Sequence, residues 1–183
     1  AAGRHKSTAV KELLAVYEKK RNRDDALSEY LECLEGGNSQ RGHAVFFGRS
    51  DLSCRRCHLI GGSGGNVGPD LSKIGADKDR RYLLEAIVTP NKAIAKGFES
   101  VQVTTLRGKV YVGIVKEEND QLLKLMLAEG SIVTIAKEEI DEKLPSKSAM
   151  PDDLLKKLTK SDVRDLVEFL SRQKTEADDS QHK

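Results

Sequence analysis

The chain has 183 residues, which is enough for one domain of ordinary size with an insertion. It carries 31 lysines and arginines against 29 aspartates and glutamates, so the net charge is +2 and no basic excess points to nucleic acid as a partner. No apolar run approaches the roughly 20 residues of a membrane-spanning helix, so no span is predicted. No signal peptide begins at Ala1, and we expect a mature protein or an excised domain without its targeting segment.

The first part of the chain predicts helices. One is predicted from Ser7, on the apolar period Val10, Leu13, Leu14 and Tyr17. A second is predicted from about Asp24 to the glycines at 36 and 37, with one apolar face formed by Leu27, Tyr30, Leu31 and Leu34. Asn38 is positioned to cap a third helix that ends near Phe47. Residues 1–37 are therefore expected to form a helical extension.

The pentapeptide Cys54-Arg55-Arg56-Cys57-His58 follows the third helix. The pattern C-x-x-C-H is the attachment sequence of a c-type haem, because one turn presents both thiols to the vinyl groups and the next residue supplies the proximal imidazole. A zinc site would need further ligands, and no second C-x-x-C exists. The sequence predicts one covalently attached haem c, bound by Cys54 and Cys57 and ligated by His58. Cys33 is expected to be a buried apolar residue, with an intermolecular disulfide as the alternative.

The segment after the motif is rich in glycine. Six of the eleven residues from 61 to 71 are Gly or Pro, which is typical of a loop that bends sharply around a flat object. A phosphate-binding loop is disfavoured because no G-K-[ST] follows. The carbonyl of Pro69 is positioned to accept the Nδ1–H of His58, a bond that would orient the imidazole and raise its basicity.

The second half of the chain mixes helices with strands. Asp77 is predicted to cap a helix that ends at Thr89 and carries Arg80 and Arg81 in its first turn, either as solvated residues or as partners of a haem propionate. A short helix over 152–158 and a last helix, capped by Thr159 or Ser161, follow near the end. Between the helix that ends at Thr89 and the short helix over 152–158, period-two alternation and turn residues predict a four-stranded antiparallel meander. Its apolar runs are Val101 and Val103; Val110, Val112 and Ile114; Leu123, Leu125 and Leu127; and Ile132 to Ile135.

Two methionines compete for the second axial position of the iron. Met126 lies within a predicted strand, where a packing role is available. Met150 lies in an irregular loop that Pro151 stiffens, and a loop can deliver a thioether to the distal face. We predict Met150 as the ligand, with packing on the haem edge as the alternative. A His/Met pair raises the reduction potential and fills the coordination shell, which favours outer-sphere electron transfer.

The order of these features resembles a class I cytochrome c. Segments shared with a haem-binding domain found mainly in planctomycetes and verrucomicrobia make the resemblance closer: 64–71 (GGNVGPDL), 82–85 (YLLE), 90–92 (PNK), 94–98 (IAKGF), 108–110 (GKV) and 148–151 (SAMP). The resemblance implies a mainly α fold of the class I cytochrome c type, with an antiparallel β meander inserted between the post-haem helix and the Met-ligand loop. It also implies that the helices before the motif and at the C-terminus cross, with Gly42 and Phe46 against Phe169 and Leu170. The implied organisation is a cytochrome c domain over 38–173, an insertion over 97–142 and a disordered tail over 174–183.

The expected function is electron transfer by a monohaem module that serves a dehydrogenase or another cytochrome or oxidase. No acid–base pair, nucleophile or second metal site is visible, so we expect an electron carrier and not an enzyme. Covalent haem attachment takes place outside the cytoplasm, so a periplasmic or secreted location is expected. The alternatives are a haem-based sensor or small-ligand-binding enzyme domain with a labile distal Met150, and a module in which haem only completes the core.

Overall fold

The computed structural model describes residues 11–13, 15–16 and 25–174. Residues 11–13 and 15–16 are helical, as predicted. The other positions of that predicted helix, and the predicted tail from residue 175 onward, lie outside the described residues.

The prediction of a single helix from Asp24 is wrong. The segment forms two 3-10 turns, Ala26–Glu29 and Leu31–Cys33, and the Asp25 carboxylate accepts the Leu27 N–H at 3.0 Å. Leu27 and Cys33 are 1% and 0% exposed. Six residues apart on an α-helix, they would point about 120° away from each other. A break at Tyr30 (φ −116°, ψ 4°) lets both face the core. The expected burial of Cys33 is confirmed, and its thiol donates to the Lys160 carbonyl at 3.3 Å.

Five α-helices follow in the described residues: α1 (Ser39–Gly48), α2 (Cys54–Cys57), α3 (Ile74–Asp77), α4 (Arg80–Val88) and α5 (Lys160–Ser171). Asn38 caps α1 as predicted, through a 2.9 Å bond from the Arg41 N–H. Asp77 does not cap α4. It ends α3, and Asp79 caps α4 by accepting the Tyr82 N–H at 2.7 Å. The short helix predicted over 152–158 is a 3-10 turn, Leu154–Lys157.

Helices α1 and α5 cross in direct contact. A Cβ at Gly42 would lie 2.0 Å from the Asp165 carbonyl oxygen, so the two backbones meet at this glycine. The Phe46 and Phe169 rings lie beside it, with centroids 5.7 Å apart. The expected contact of Gly42 and Phe46 with Phe169 is therefore present. The buried Asp165 carboxylate joins the helices further, because it accepts from the Asn38 N–H and from Arg41 Nε, both at 2.7 Å.

Seven strands lie between and around these helices in the described part of the chain. A two-residue hairpin, β1 (Leu59–Ile60) with β2 (Ser63–Gly64), directly follows the C-x-x-C-H motif. The other strands form one antiparallel sheet in the order β6-β5-β4-β3-β7. They are β3 (Ser100–Thr105), β4 (Val110–Glu118), β5 (Leu122–Leu127), β6 (Ile132–Ala136) and β7 (Ile140–Pro145). The four predicted strands are present, and β7 is an additional strand that pairs with β3.

The predicted fold class, a mainly α class I cytochrome c fold with an inserted β meander, is wrong. Helix accounts for 37% of the structure and strand for 23%, so the protein combines helices with a substantial antiparallel sheet. The sheet has a core of its own, in which Val103, Leu123, Leu125 and Ile135 are at most 2% exposed. Every side chain of that core comes from residues 101–140. The sheet therefore has its own packed face and is more than a cover for the helices.

None of the described helices is both long and apolar enough to cross a lipid bilayer.

Candidate cofactor site

The C-x-x-C-H motif forms a single helical turn. Ser53 precedes it in the left-handed conformation (φ 55°), and its hydroxyl donates to the Ser50 carbonyl at 2.6 Å. The His58 N–H closes the turn on the Cys54 carbonyl at 3.0 Å. Cys54 and Cys57 are free thiols, both half-buried. One turn therefore offers two reduced sulfurs and the following imidazole, as the attachment of a c-type haem requires.

The imidazole of His58 is held by Pro69. Its Nδ1 lies 2.9 Å from the Pro69 carbonyl oxygen, which confirms the predicted contact. Because a carbonyl only accepts, Nδ1 carries the proton and Nε2 is the nitrogen left for a metal. Burial lowers the pKa of His58, and the bond to Pro69 opposes this shift only in part. The ring is thus held in its neutral, metal-binding form.

The glycine-rich loop folds back onto the motif at distances that exclude side chains. A Cβ at Gly65 would lie 1.9 Å from the Arg56 carbonyl oxygen, and one at Gly68 would lie 2.6 Å from Cε1 of His58. The Gly68 N–H donates to the Cys57 carbonyl at 2.7 Å. The sequence predicted that this loop bends around a flat object. In the structure the loop packs against the imidazole and the backbone of the motif.

The donor set fits a haem better than a bare metal ion. In residues 11–13, 15–16 and 25–174, no group of three or more His, Cys, Asp or Glu side chains is arranged to hold a metal. A haem needs only axial ligands from the protein, because the macrocycle supplies four nitrogens. Burial raises the pKa of both Cys54 and Cys57.

The two methionines lie in different parts of the protein. Met150 is half-buried and packs on the helical core, which Cys54 also contacts. Its loop is tied to the end of α4, because the Ser148 N–H donates to Asn91 Oδ1 at 2.8 Å. Met126 is 6% exposed and packs against Val67, in the loop that contacts the Nδ1 side of His58. Met126 thus has a packing role in the sheet, and Met150 as the axial ligand stays a prediction.

No model of a known protein family matches this chain, and no curated protein matches it.

Arg80 does not extend toward the motif. Its guanidinium donates to the carboxylate of Glu168 and, at 3.0 Å, to the Leu34 carbonyl. Glu168 also accepts from Arg172 at 2.6 Å, and the bond from Arg80 holds the pKa of Glu168 below its usual range. Arg80, one of the two predicted partners of a haem propionate, is thus already paired within the helices, and the role of Arg81 stays a prediction.

Sequence reasoning missed the contact between the sheet and the loop. Val67, Ile114 and Met126 form a small buried cluster, and Cys57 and Phe98 pack against it. Val67 is the one large apolar side chain among the glycines from 61 to 68. A large apolar residue in such a loop is expected to be buried by another part of the chain, and this feature of the sequence could have predicted the contact.

Proposed function

We propose that this chain is a monohaem c-type cytochrome domain that transfers electrons by an outer-sphere route, and that it belongs with the haem-binding domains whose motifs it resembles. In this proposal Cys54 and Cys57 form the two thioether bonds. His58 and Met150 are the axial ligands. The redox partner is a dehydrogenase or another cytochrome or oxidase, and the location is periplasmic or secreted.

One observation carries the proposal. The Cys54–Cys57 turn offers two free thiols, and the next residue is an imidazole whose Nδ1 is bonded to the Pro69 carbonyl. That bond fixes the tautomer and the ring orientation and makes Nε2 a stronger base. Structural or catalytic cysteine pairs have no need of an imidazole prepared in this way.

The residues around the site have distinct roles. Bound haem supplies a one-electron Fe(III)/Fe(II) couple. Pro69 orients His58, and the close packing of Gly65 and Gly68 leaves no room for side chains against the motif and the imidazole. A thioether from Met150 favours the ferrous state, because soft sulfur ligands stabilise it.

A haem-based ligand sensor is the second candidate function. It is favoured by the setting of Met150, which lies outside helices and strands and is half-buried. Its N–H contact with the Ser148 hydroxyl, at 3.2 Å, is long for a hydrogen bond. A methionine held in this way can be displaced by a gas molecule more readily than one in a rigid element.

Absorption spectra of the oxidised and the reduced protein, before and after addition of CO, test the proposal. We expect a c-type reduced spectrum, the weak far-red band of methionine-ligated ferric haem, and no response to CO. Rapid stoichiometric CO binding would support the sensor instead. The variants Cys54→Ala and Cys57→Ala should each abolish normal maturation, and a holoprotein of unchanged spectrum from either one would contradict covalent attachment at this motif.

A further inference from the structure

We infer that the outer face of the sheet is a positioning surface for the proximal ligand: Ile114 and Met126 hold Val67, and through it the two residues that fix the His58 imidazole. This inference rests on the proposed function, since it assigns the sheet a role toward the same site.

The contact is tightly closed. Val67, Ile114 and Met126 are 4%, 1% and 6% exposed. Ile114 on β4 and Met126 on β5 are directly paired in the sheet, so their side chains stand next to each other on one face. That face is opposite the inner core, which Leu125 and its neighbours fill. The outer face is therefore separate from the inner core, and Ile114 and Met126 on it pack against Val67.

The turn between β5 and β6 extends the contact. A Cβ at Gly130 in this turn would lie 3.7 Å from Cγ2 of Val67, an ordinary packing distance. The neighbouring Glu129 has a lowered pKa because of its own backbone N–H and the Ser131 hydroxyl, and the charge of Arg56 lowers it further. The turn thus approaches the loop at Val67.

Val67 is joined to the imidazole through the next two residues. Gly68 donates to the Cys57 carbonyl at 2.7 Å, and its Cα faces the His58 ring so closely that a Cβ would lie 2.6 Å from Cε1. Pro69 then accepts from Nδ1 at 2.9 Å. Val67, Gly68 and Pro69 are consecutive, and each is packed or hydrogen-bonded, so none of them can move independently of the others. A change in the position of Val67 therefore alters the orientation of His58.

Four variants of the full chain separate positioning from general stability. Met126→Ala opens the outer contact, Ile114→Val relaxes it mildly, and Met126→Leu nearly preserves the volume. Leu125→Ala is the matched control, because it creates a cavity on the same strand but in the inner core. The first measurement is hydrogen exchange of the Gly68 amide, which can be read with or without bound haem. The second is the midpoint potential.

We expect Met126→Ala to raise the exchange rate of the Gly68 amide about tenfold and to shift the potential, with a smaller change of the same sign in Ile114→Val. Met126→Leu should keep the exchange rate and the potential near their wild-type values. Leu125→Ala should lower the unfolding temperature and leave both readouts near wild type. The inference is overturned if Met126→Ala and Ile114→Val leave Gly68 exchange unchanged, or if Leu125→Ala changes it equally. A wild-type protein without a c-type spectrum would refute the proposed function separately, and Gly68 exchange would still decide the positioning role.

Discussion

Replacing Gly68 with alanine tests the proximal arrangement directly. The new Cβ would lie 2.6 Å from Cε1 and 2.8 Å from Nδ1 of His58, whereas ordinary contacts begin at 3.4 Å. The ring and the loop must therefore separate by about 0.8 Å, a shift that also strains the 2.9 Å bond to Pro69. Gly68 does not have a positive φ, so the backbone tolerates alanine and the effect is steric. Overpacking of this kind costs about 1–3 kcal/mol.

Thermal unfolding and potentiometry of the holoprotein measure the effect. For a chain of this size, a loss of ~1–3 kcal/mol lowers the unfolding temperature by about 3–9 °C. We expect the midpoint potential to rise, because an imidazole that loses its carbonyl acceptor is a weaker base and donates less charge to ferric iron. Gly48→Ala is the control, because Gly48 ends α1 and a Cβ there meets nothing within 4 Å.

Gly68→Ala and Gly48→Ala each add one methyl group, the first at a crowded position and the second at an open one. Gly48→Ala should leave the potential unchanged and keep or slightly raise the stability, because alanine favours a helix by about 0.5–1 kcal/mol. If Gly68→Ala unfolds at the temperature of Gly48→Ala and keeps the wild-type potential, the close approach of Gly68 to His58 is wrong.

Three further predictions follow from the structure. Gly42→Ala should cost about 3 kcal/mol or more in the free energy of unfolding, because its Cβ meets the Asp165 backbone at 2.0 Å. Met150→Ala should change the axial-ligand spectrum and lower the potential, whereas Met126→Leu should leave both nearly unchanged. Burial raises the pKa of Asp165, but bonds from Arg41 and Asn38 outweigh it and leave the pKa lowered. The stability that it provides should therefore be present above about pH 4 and be lost as the pH falls through the lowered value.

Each of these predictions has a measurement that can contradict it. A Gly42→Ala protein with the wild-type urea midpoint would show that α1 and α5 do not meet at this residue. A changed ligand spectrum in Met126→Leu would reverse the assignment of the sixth ligand. Asp165→Asn should be about 1–3 kcal/mol less stable than wild type at pH 7 and nearly equal to it near pH 2. A difference that does not depend on pH would exclude the ionised carboxylate as its cause.

Local chemistry made part of this structure predictable. The cap at Asn38, the C-x-x-C-H turn and the bond from His58 to Pro69 each depend on residues at most eleven positions apart. Period-two alternation located four strands. On β4, however, the predicted apolar run Val110, Val112 and Ile114 lies on the outer face, and Tyr111 and Val115 pack in the inner core. Motifs such as the C-x-x-C-H turn carry their own geometry, so the contact of His58 with Pro69 was predicted correctly although the fold class was wrong.

Long-range packing determined the features that sequence reasoning missed. Strand β7 (Ile140–Pro145) has little alternation, and it becomes a strand because it pairs with β3. The break at Tyr30 depends on the burial of both Leu27 and Cys33 in a core formed by distant helices. The contact of Val67 with Met126 joins residues 59 positions apart. Neither periodicity nor turn chemistry reports such contacts.

The inner core of the sheet has a consequence for the order of assembly. Because that core takes every side chain from residues 101–140, its cooperative unit can form without the motif, without the helices and without haem. Cys54 and Cys57 lie outside this unit, so we expect their thiols to stay accessible after the sheet has folded. We expect the cluster of Val67, Ile114 and Met126 to form only when the proximal loop packs against the folded sheet.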